Sequence, residues 1–375
     1  MTDRSLPTAA DGALISKALL AWYTRVRRDL PWRRQPSPYK TLVSEFMLQQ
    51  TVVATVIPYF ERFLKRFPGF PELAAAAEED VTALWSGLGY YARARNLHRV
   101  AQAVCDHHCG VLPADEATLL TLPGIGPYTA AAIAAIAFGH RTFALDGNAT
   151  RVVARLTDDD APIDQPEARV RLRTVATEWV PKRRAGDFAQ AVMELGATVC
   201  RPKNPDCFAC PLLSVCRAAR SGRVDTIPVK SPKKAKREIR WAVLRIEANG
   251  WVALQKRPPG LLAGTWLPPA VELAAHETPM SSVCSLVGSL AAAGALPSAF
   301  AQPQFIETVV HVFTHRQLTA EVFEVTTKRR PVSKTAADDS DWRWARTNGK
   351  SRLALSSLAR KILRARKADN GLVSP

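Results

Sequence analysis

The sequence predicts a mainly α N-terminal domain followed by a smaller α+β domain. Three observations carry this expectation. Between Ala13 and Val199 roughly ten segments space their apolar residues as helices do, and none alternates convincingly as a strand. From Val224 to Arg240 the composition changes to a basic stretch, with Lys230, Lys233, Lys234 and Lys236 around Pro228 and Pro232, which reads as a linker. After it, strand-like alternation flanks Asn249-Gly250, a dipeptide that favours a two-residue hairpin turn. The 375 residues suffice for two separate cores. The expected division is a loose 1–12, a helical 13–223, a linker 224–239, an α+β domain 240–367 and a loose 368–375.

The elements follow in order. Ala13–Arg28 is an amphipathic helix through Leu14, Ile15, Ala18, Leu19, Trp22 and Val26, and Leu30-Pro31-Trp32-Arg33-Arg34 breaks it. Trp32 between basic neighbours suits core packing or an aromatic–cation pair facing bases. Helices at Thr41–Gln50, Thr51–Phe67 (with a kink at Pro58), Phe70–Trp85 and Asn96–His107 come next. Gly87-Leu88-Gly89-Tyr90-Tyr91-Ala92-Arg93-Ala94-Arg95-Asn96 combines glycine, tyrosine and arginine as a loop meeting nucleic acid does. Arg169–Val180 and Asp187–Val199 complete the helices. In the second domain Arg240–Ala248 pairs with Trp251–Lys256, and Glu307–Thr314 with Gln317–Thr326. A short strand at Asp341–Ala345 and a basic helix at Leu353–Arg366 follow.

The net charge of +17 points to a polyanionic partner such as nucleic acid or an acidic membrane surface. The apolar runs are too short to span a bilayer, and Met1–Gly12 lacks the apolar centre of a secretory signal. The expectation is a cytoplasmic monomer, nucleoid-associated if the cell is bacterial. Seven cysteines in so long a chain do not make a disulfide scaffold. Cys105, Cys109 and Cys284 read as ordinary thiols, and His107 and His108 as the surface of a helix end.

Three features carry chemistry. Leu122-Pro123-Gly124-Ile125-Gly126-Pro127-Tyr128-Thr129 is a tight turn between helices, its glycines open to torsions closed to other residues. Such a hairpin suits a phosphate oxygen, and Asp146 in Leu145-Asp146-Gly147-Asn148 then stands ready for a sugar. Glu45 lies among Leu42, Val43, Phe46, Met47 and Leu48, so it either faces solvent or is buried with a pKa raised for proton donation. Cys200, Cys207, Cys210 and Cys216 are spaced C-x6-C-x2-C-x5-C. Four thiolates in one loop hold zinc or an iron–sulfur cube, and the uneven spacing favours a [4Fe-4S] cluster that orders the loop, with a redox role as the competing reading.

Together the hairpin, the Asp146 loop and the cysteines resemble the helix-hairpin-helix DNA glycosylase superfamily, in its endonuclease III-like branch. Leu30-Pro31-Trp32, Ser44-Glu45-Phe46-Met47-Leu48-Gln49-Gln50-Thr51, Gly87-Leu88-Gly89-Tyr90-Tyr91-Ala92-Arg93 and Met193-Glu194-Leu195-Gly196-Ala197 resemble its adenine DNA glycosylase (MutY) family. The likeness runs from about Leu14 to Arg223. A weaker one over Trp241–Arg366, through Gly260-Leu261-Leu262-Ala263-Gly264-Thr265-Trp266, is similar to the family's Nudix-like lesion-recognition domain.

The resemblance implies a helix-hairpin-helix glycosylase fold with an iron–sulfur cluster loop, acting on double-stranded DNA with adenine opposite 8-oxoguanine or guanine. It implies that Glu45 protonates adenine at N7 and that Asp146 stabilises or captures the oxocarbenium-like sugar, positioned with the water by Tyr128 and Asn148. Leu30, Trp32, Arg33 and Glu194 would line the adenine pocket, and Gln50 and Tyr90 would fill or wedge the vacated duplex. Gly124 and Gly126 would grip the backbone, and Phe313-Thr314-His315, where the family usually has Phe-Ser-His, would read the lesion. Bifunctional relatives carry a nucleophilic lysine where this chain has Tyr128, so the resemblance implies base removal without strand cleavage. Glu272 and Glu277 alone follow Gly264 in place of the magnesium signature of Nudix hydrolases, which leaves a reader and not a pyrophosphatase. The linker is open to contacts with repair proteins. The competing readings are a lyase on oxidised pyrimidines, a non-enzymatic iron–sulfur DNA-binding protein and a nucleotide hydrolase working through the second domain.

Overall fold

The computed structural model describes residues 9–232, 235–292, 302–313, 315–327, 342–347, 353 and 355–365. The chain divides into two compact units, one of Met1–Glu78 with Ala92–Lys233 and one of Glu79–Tyr91 with Lys234–Pro375. No helix among the described residues is long and apolar enough to cross a membrane.

The first unit is helical. Its elements are α1 (Ala9–Val26), α2 (Pro38–Leu48), α3 (Val53–Arg66), α4 (Phe70–Ala74), α6 (Ala92–His107), α7 (Glu116–Thr121), α8 (Pro127–Phe138), α9 (Gly147–Thr157), α10 (Pro166–Glu178), α11 (Ala185–Thr198) and α12 (Arg217–Arg220), while α5 (Glu78–Leu84) belongs from Glu79 on to the second unit. The single helix expected over Phe70–Trp85 is two, because Ala75 closes the first through hydrogen bonds to Pro71 and Leu73. Pro58 stays inside α3. α8 is the centre of this unit: Ala130–Ala135 are fully buried, and α2 and α11 pack on it. The small alanine side chains leave room for α2 and α11 to pack against α8. A second core gathers Leu19, Tyr23, Val152, Leu172, Phe188 and Leu195 from α1, α9, α10 and α11.

Part of the stretch read as a linker is built into the first unit. Ile227 is buried, its carbonyl accepts Arg155 Nε at 2.8 Å, and Ser231 N donates to Asp164 at 2.8 Å.

The second unit is a mixed sheet of β1 (Arg237–Ala248), β2 (Trp251–Lys256), β3 (Trp266–Leu267), β4 (Ala270–Glu272), β5 (Gln304–Val312), β6 (Arg316–Thr326) and β7 (Trp342–Arg346), with α13 (Pro279–Ala292) and α14 (Ser357–Arg364). The order is β3-β2-β1-β6-β5, with β4 on β1 and β7 on β2. β1 and β6 run parallel in the register Trp241↔Ala320, and the other pairs are antiparallel. Asn249 and Gly250 turn β1 into β2 with φ of 51° and 77°, the left-handed pair that such a hairpin requires. Strand alternation sends Trp241 and Val243 to the α14 face and Ala242 and Leu244 to the α13 face, so helices cover both sides. The last helix is shorter than the sequence suggested, since Leu355 bridges Trp266 before α14 begins.

Candidate active site

α2 begins at Ser37, whose hydroxyl accepts the Lys40 amide at 3.2 Å, with Pro38 in the first turn. Its middle carries Glu45, only 5% exposed. α7 and α8 form the hairpin. Gly124 has φ +73°, and a Cβ there would lie 2.3 Å from Asn96 Nδ2, so backbone and packing both demand glycine. Gly126 corrects the expectation for the pair: its φ is −94°, open to any residue, and a Cβ would meet nothing within 4 Å. What its missing side chain leaves free is space outside the fold.

Pro127 starts α8, and Tyr128 then points its hydroxyl at Glu45, donating to Oε2 at 2.6 Å. Thr129, next along α8, accepts Gln49 Nε2 at 3.3 Å. Asp146 is the N-cap of α9 and accepts the Ala149 amide at 2.6 Å and Asn148 Nδ2 at 3.2 Å. Arg151 Nη2 in turn donates to Asn148 Oδ1 at 2.8 Å and to the Gly196 carbonyl at 2.7 Å. Gly196 permits this contact, because a Cβ would sit 2.6 Å from Asn148 Cβ.

Burial drives the Glu45 carboxyl up to about 7, and the Asp146 charge adds to this while the Tyr128 hydrogen bond opposes it. Burial also raises Asp146, against the Ala149 amide, the Asn148 amide and the Arg151 cation. Glu45 thus changes its proton near neutral pH beside a second carboxyl, a pairing of the kind that cleaves glycosidic bonds.

Leu30, Trp32, Arg33, Glu45, Gln50, Tyr128, Asp146, Asn148 and Glu194 all line one cavity of about 1040 Å³. Trp32 packs in the core, edge-on to Phe60 at 5.4 Å, and also lines the cavity. Glu194, 2% exposed, is held by two arginines: Arg28 Nε at 2.6 Å and Nη2 at 3.1 Å, and Arg33 Nη2 at 2.9 Å. Burial pushes its carboxyl up, the two guanidiniums pull it down harder, and the net shift is downward. Arg28 was not among the expected site residues; 166 residues separate it from Glu194, and no local pattern announces the pair. Arg151 was legible in principle, standing one turn after Asn148 on the same helix.

Within the Gly87–Asn96 stretch, Arg93 departs from the expectation of a residue free to meet nucleic acid. α6 starts at Ala92, and Arg93 is buried. Its Nη1 reaches the carbonyls of Phe46 (3.0 Å), Met47 (2.8 Å) and Gln49 (2.5 Å), and its Nη2 reaches Thr51 Oγ1 at 3.2 Å. This guanidinium satisfies the open carbonyls at the end of α2 and holds the turn where Gln50 takes a φ of +54°. Tyr91 is buried in the second unit, its hydroxyl donating to the Leu355 carbonyl at 2.8 Å. Tyr90, in the same unit, is 52% exposed with φ +49°. Phe313 and His315 lie in the β5–β6 turn, with Phe313 edge-on to His311 at 4.7 Å. Thr314 lies outside the described residues.

Cys200, Cys207, Cys210 and Cys216 are free thiols lining one small cavity. Burial pushes Cys210 up to about 12, and charge on the neighbouring sulfurs adds to it. Four thiols so placed cannot ionise together without a cationic centre among them. Arg155 Nη1 lies 3.3 Å from Cys200 Sγ, and its buried Nη2 has no hydrogen-bond partner among the described residues. No group of three or more His, Cys, Asp or Glu among the described residues forms a metal-ion site. The fit to a cluster therefore rests on the donor set and on the orphaned Arg155 N–H.

Fold and site together define a base-excision protein of the helix-hairpin-helix kind. A family model described as HhH-GPD superfamily base excision DNA repair protein matches residues 43–176, and a NUDIX domain model matches 241–365. Over 57% of this chain the fold follows all of a thermostable thymine-DNA glycosylase, with a TM-score of 0.52 and 25% identity. The chain belongs to the adenine DNA glycosylase family. It is 36% identical to the adenine DNA glycosylase of Mus musculus over 95% of this chain and 78% of that one. The adenine DNA glycosylase of Mycolicibacterium smegmatis is 45% identical over 54% of this chain and 69% of its own length.

Proposed function

We propose that this protein hydrolyses the N-glycosidic bond of adenine mispaired with 8-oxoguanine or guanine in duplex DNA and stops at the abasic site. The observation that carries the reading is the buried Glu45, its carboxyl pushed up to about 7, in one cavity with a second carboxyl, Asp146. Adenine leaves poorly until its ring is protonated. Glu45 delivers that proton to N7, and Tyr128 holds the carboxyl in place through its 2.6 Å hydrogen bond. Asp146, fixed by the Ala149 amide and Asn148, faces the cationic sugar and stabilises or captures it before water attacks. No lysine lines the cavity among the described residues, so no amine is placed to form a Schiff base and cut the strand.

Leu30, Trp32, Arg33 and Glu194 enclose the extruded base, and Gln50 and Tyr90 act on the vacated duplex. Phe313, Thr314 and His315 read the opposite lesion. Gly124 shapes the hairpin, and the open space at Gly126 admits the DNA backbone. Cys200, Cys207, Cys210 and Cys216 would hold a [4Fe-4S] cluster, which when bound ties the loop 200–216 into one unit. The protein works in the cytoplasm, at the nucleoid if the cell is bacterial.

The test is adenine release from duplexes with A opposite 8-oxoguanine, G or C, with Glu45→Gln and Asp146→Asn alongside. Release from the first two, lost in both variants, is expected. Release from none sinks the reading, and a borohydride-trapped protein–DNA adduct would replace it with a lyase.

A further inference from the structure

A second cavity of about 390 Å³ lies in the helical unit beside the first. Tyr128, Leu145 and Arg169 line both, so these three side chains form the wall between them. The floor of the second is apolar, with Pro127, Phe143 and Val170. Its charged rim is Arg169, Arg173 and Asp164.

The charges on this rim are not equally free. Arg173 pairs with Glu116 and also reaches Thr142 Oγ1 at 3.2 Å. Asp164 accepts the Ser231 amide at 2.8 Å. Arg171, two residues after Arg169 on α10, pairs with Asp159 at 2.8 Å. Arg169 differs from both arginines. Its Nη2 donates to the Leu145 carbonyl at 3.3 Å, and no carboxylate lies within ion-pair distance of it among the described residues. A guanidinium carries five donors in a planar fork that matches a phosphate edge. One of them is used to anchor the group on the backbone immediately before Asp146, and the cation is left without an ion-pair partner among the described residues, on the wall shared by both cavities.

We infer that Arg169 seats one phosphodiester of the bound DNA strand, next to the extruded nucleotide. The inference rests on the glycosylase reading above. A nucleotide drawn into the first cavity with its sugar at Asp146 keeps a phosphate on either side of that sugar. The wall beside Asp146 is where one of the two must pass. The apolar floor of the second cavity accepts the uncharged face of the adjoining deoxyribose, and Arg169 meets the phosphate oxygens in a charge-assisted contact. The contact carries no base information, so it positions the strand for any sequence.

The experiment measures binding of the full chain to a duplex carrying 2′-fluoro-2′-deoxyadenosine opposite 8-oxoguanine, which resists cleavage, across a series of KCl concentrations. Arg169→Ala lowers the log–log salt slope by about 0.9, the value of one neutralised phosphate. Affinity falls about fivefold to tenfold, and Arg169→Lys restores the slope because the charge remains. In a scan of single methylphosphonate linkages, one position weakens the wild type but not Arg169→Ala, since the two changes remove the same contact. An unchanged slope in Arg169→Ala, or the absence of any such linkage, overturns the inference. Adenine release from the cleavable duplex is measured in parallel on the wild type. Its absence removes the glycosylase reading while leaving the slope comparison intact.

Discussion

Two buried glutamates face the same cavity and behave in opposite ways. Glu45 and Glu194 are 5% and 2% exposed, yet the first is pushed up to about 7 and the second is pulled below its ordinary value. Burial acts on both in the same direction. The difference lies in the partners. The wall made by α2 and α8 offers Glu45 a phenol and the charge of Asp146. The wall made by α11 and the Pro31–Arg33 turn offers Glu194 two guanidiniums, one of them bidentate. One cavity thus keeps a proton source and a fixed anion side by side, because Arg28 and Arg33 reach Glu194 and no guanidinium pairs with Glu45 among the described residues. The lesson is that burial pushes a carboxyl up by itself, and only partners such as the two guanidiniums at Glu194 reverse that direction.

The largest expected effect breaks the first half of this comparison. Glu45→Gln slows base release about 10³-fold, within the range for general acid catalysis, and removes the alkaline limb of the pH–rate profile in single-turnover assays. In the wild type that limb falls as pH rises through about 7, where Glu45 loses its proton.

The same substitution stabilises the fold. The folded carboxyl has its pKa raised above the unfolded one, so its contribution is intact below about 4.5 and is lost as pH climbs through 7. Above that range Glu45→Gln is more stable than the wild type by about 3 kcal/mol, and the gap closes in acid. Denaturant melts at pH 5 and pH 8 check this, and an equal gap at both would contradict it.

Glu194→Gln has the reverse sign. Two arginines lose their shared anion, and stability falls by about 2 kcal/mol. The loss shrinks as pH falls below the ordinary carboxylate range, where the wild type also gives up its charge. Melts of both proteins across that range test it.

A smaller effect concerns Tyr128. Its hydrogen bond lowers Glu45, so Tyr128→Phe moves the alkaline limb to higher pH and costs about 1 kcal/mol of stability. A limb moving to lower pH would show that the hydroxyl favours the protonated acid instead.

The smallest contrast is between the hairpin glycines. Gly124→Ala destabilises by about 1 kcal/mol or more, since φ is positive and Asn96 fills the space. Gly126→Ala leaves the melting point nearly unchanged and weakens duplex binding, which a gel-shift titration reads.

Much of this was open to the sequence alone. The helical unit showed in its apolar periodicity, the sheet unit in Asn249-Gly250 and the alternating strands around it. Asp146 beside Gly147 already stood out as a candidate acid, and Tyr128 already lacked an amine. The four cysteines declared themselves by spacing. These are local signals, written within a few residues of one another.

Tertiary structure decided the rest. The sequence left Glu45 either solvated or buried; the packing of α8 on α2 buried it, and burial, helped by the Asp146 charge, raised its carboxyl against the Tyr128 hydrogen bond. Arg93 looked like a phosphate ligand and became the clamp on α2, because the carbonyls it satisfies come from residues more than forty positions earlier. Glu194 acquired its charge from Arg28 and Arg33 across the fold, and Arg169 became distinctive only once its neighbours on α10 proved to be paired. Residue type and spacing determine which groups exist and where the chain turns. Whether a carboxyl keeps its proton, or a guanidinium keeps its charge uncompensated, depends on what the fold brings within a few ångströms, since electrostatic interactions in a buried site are short in reach and large in effect.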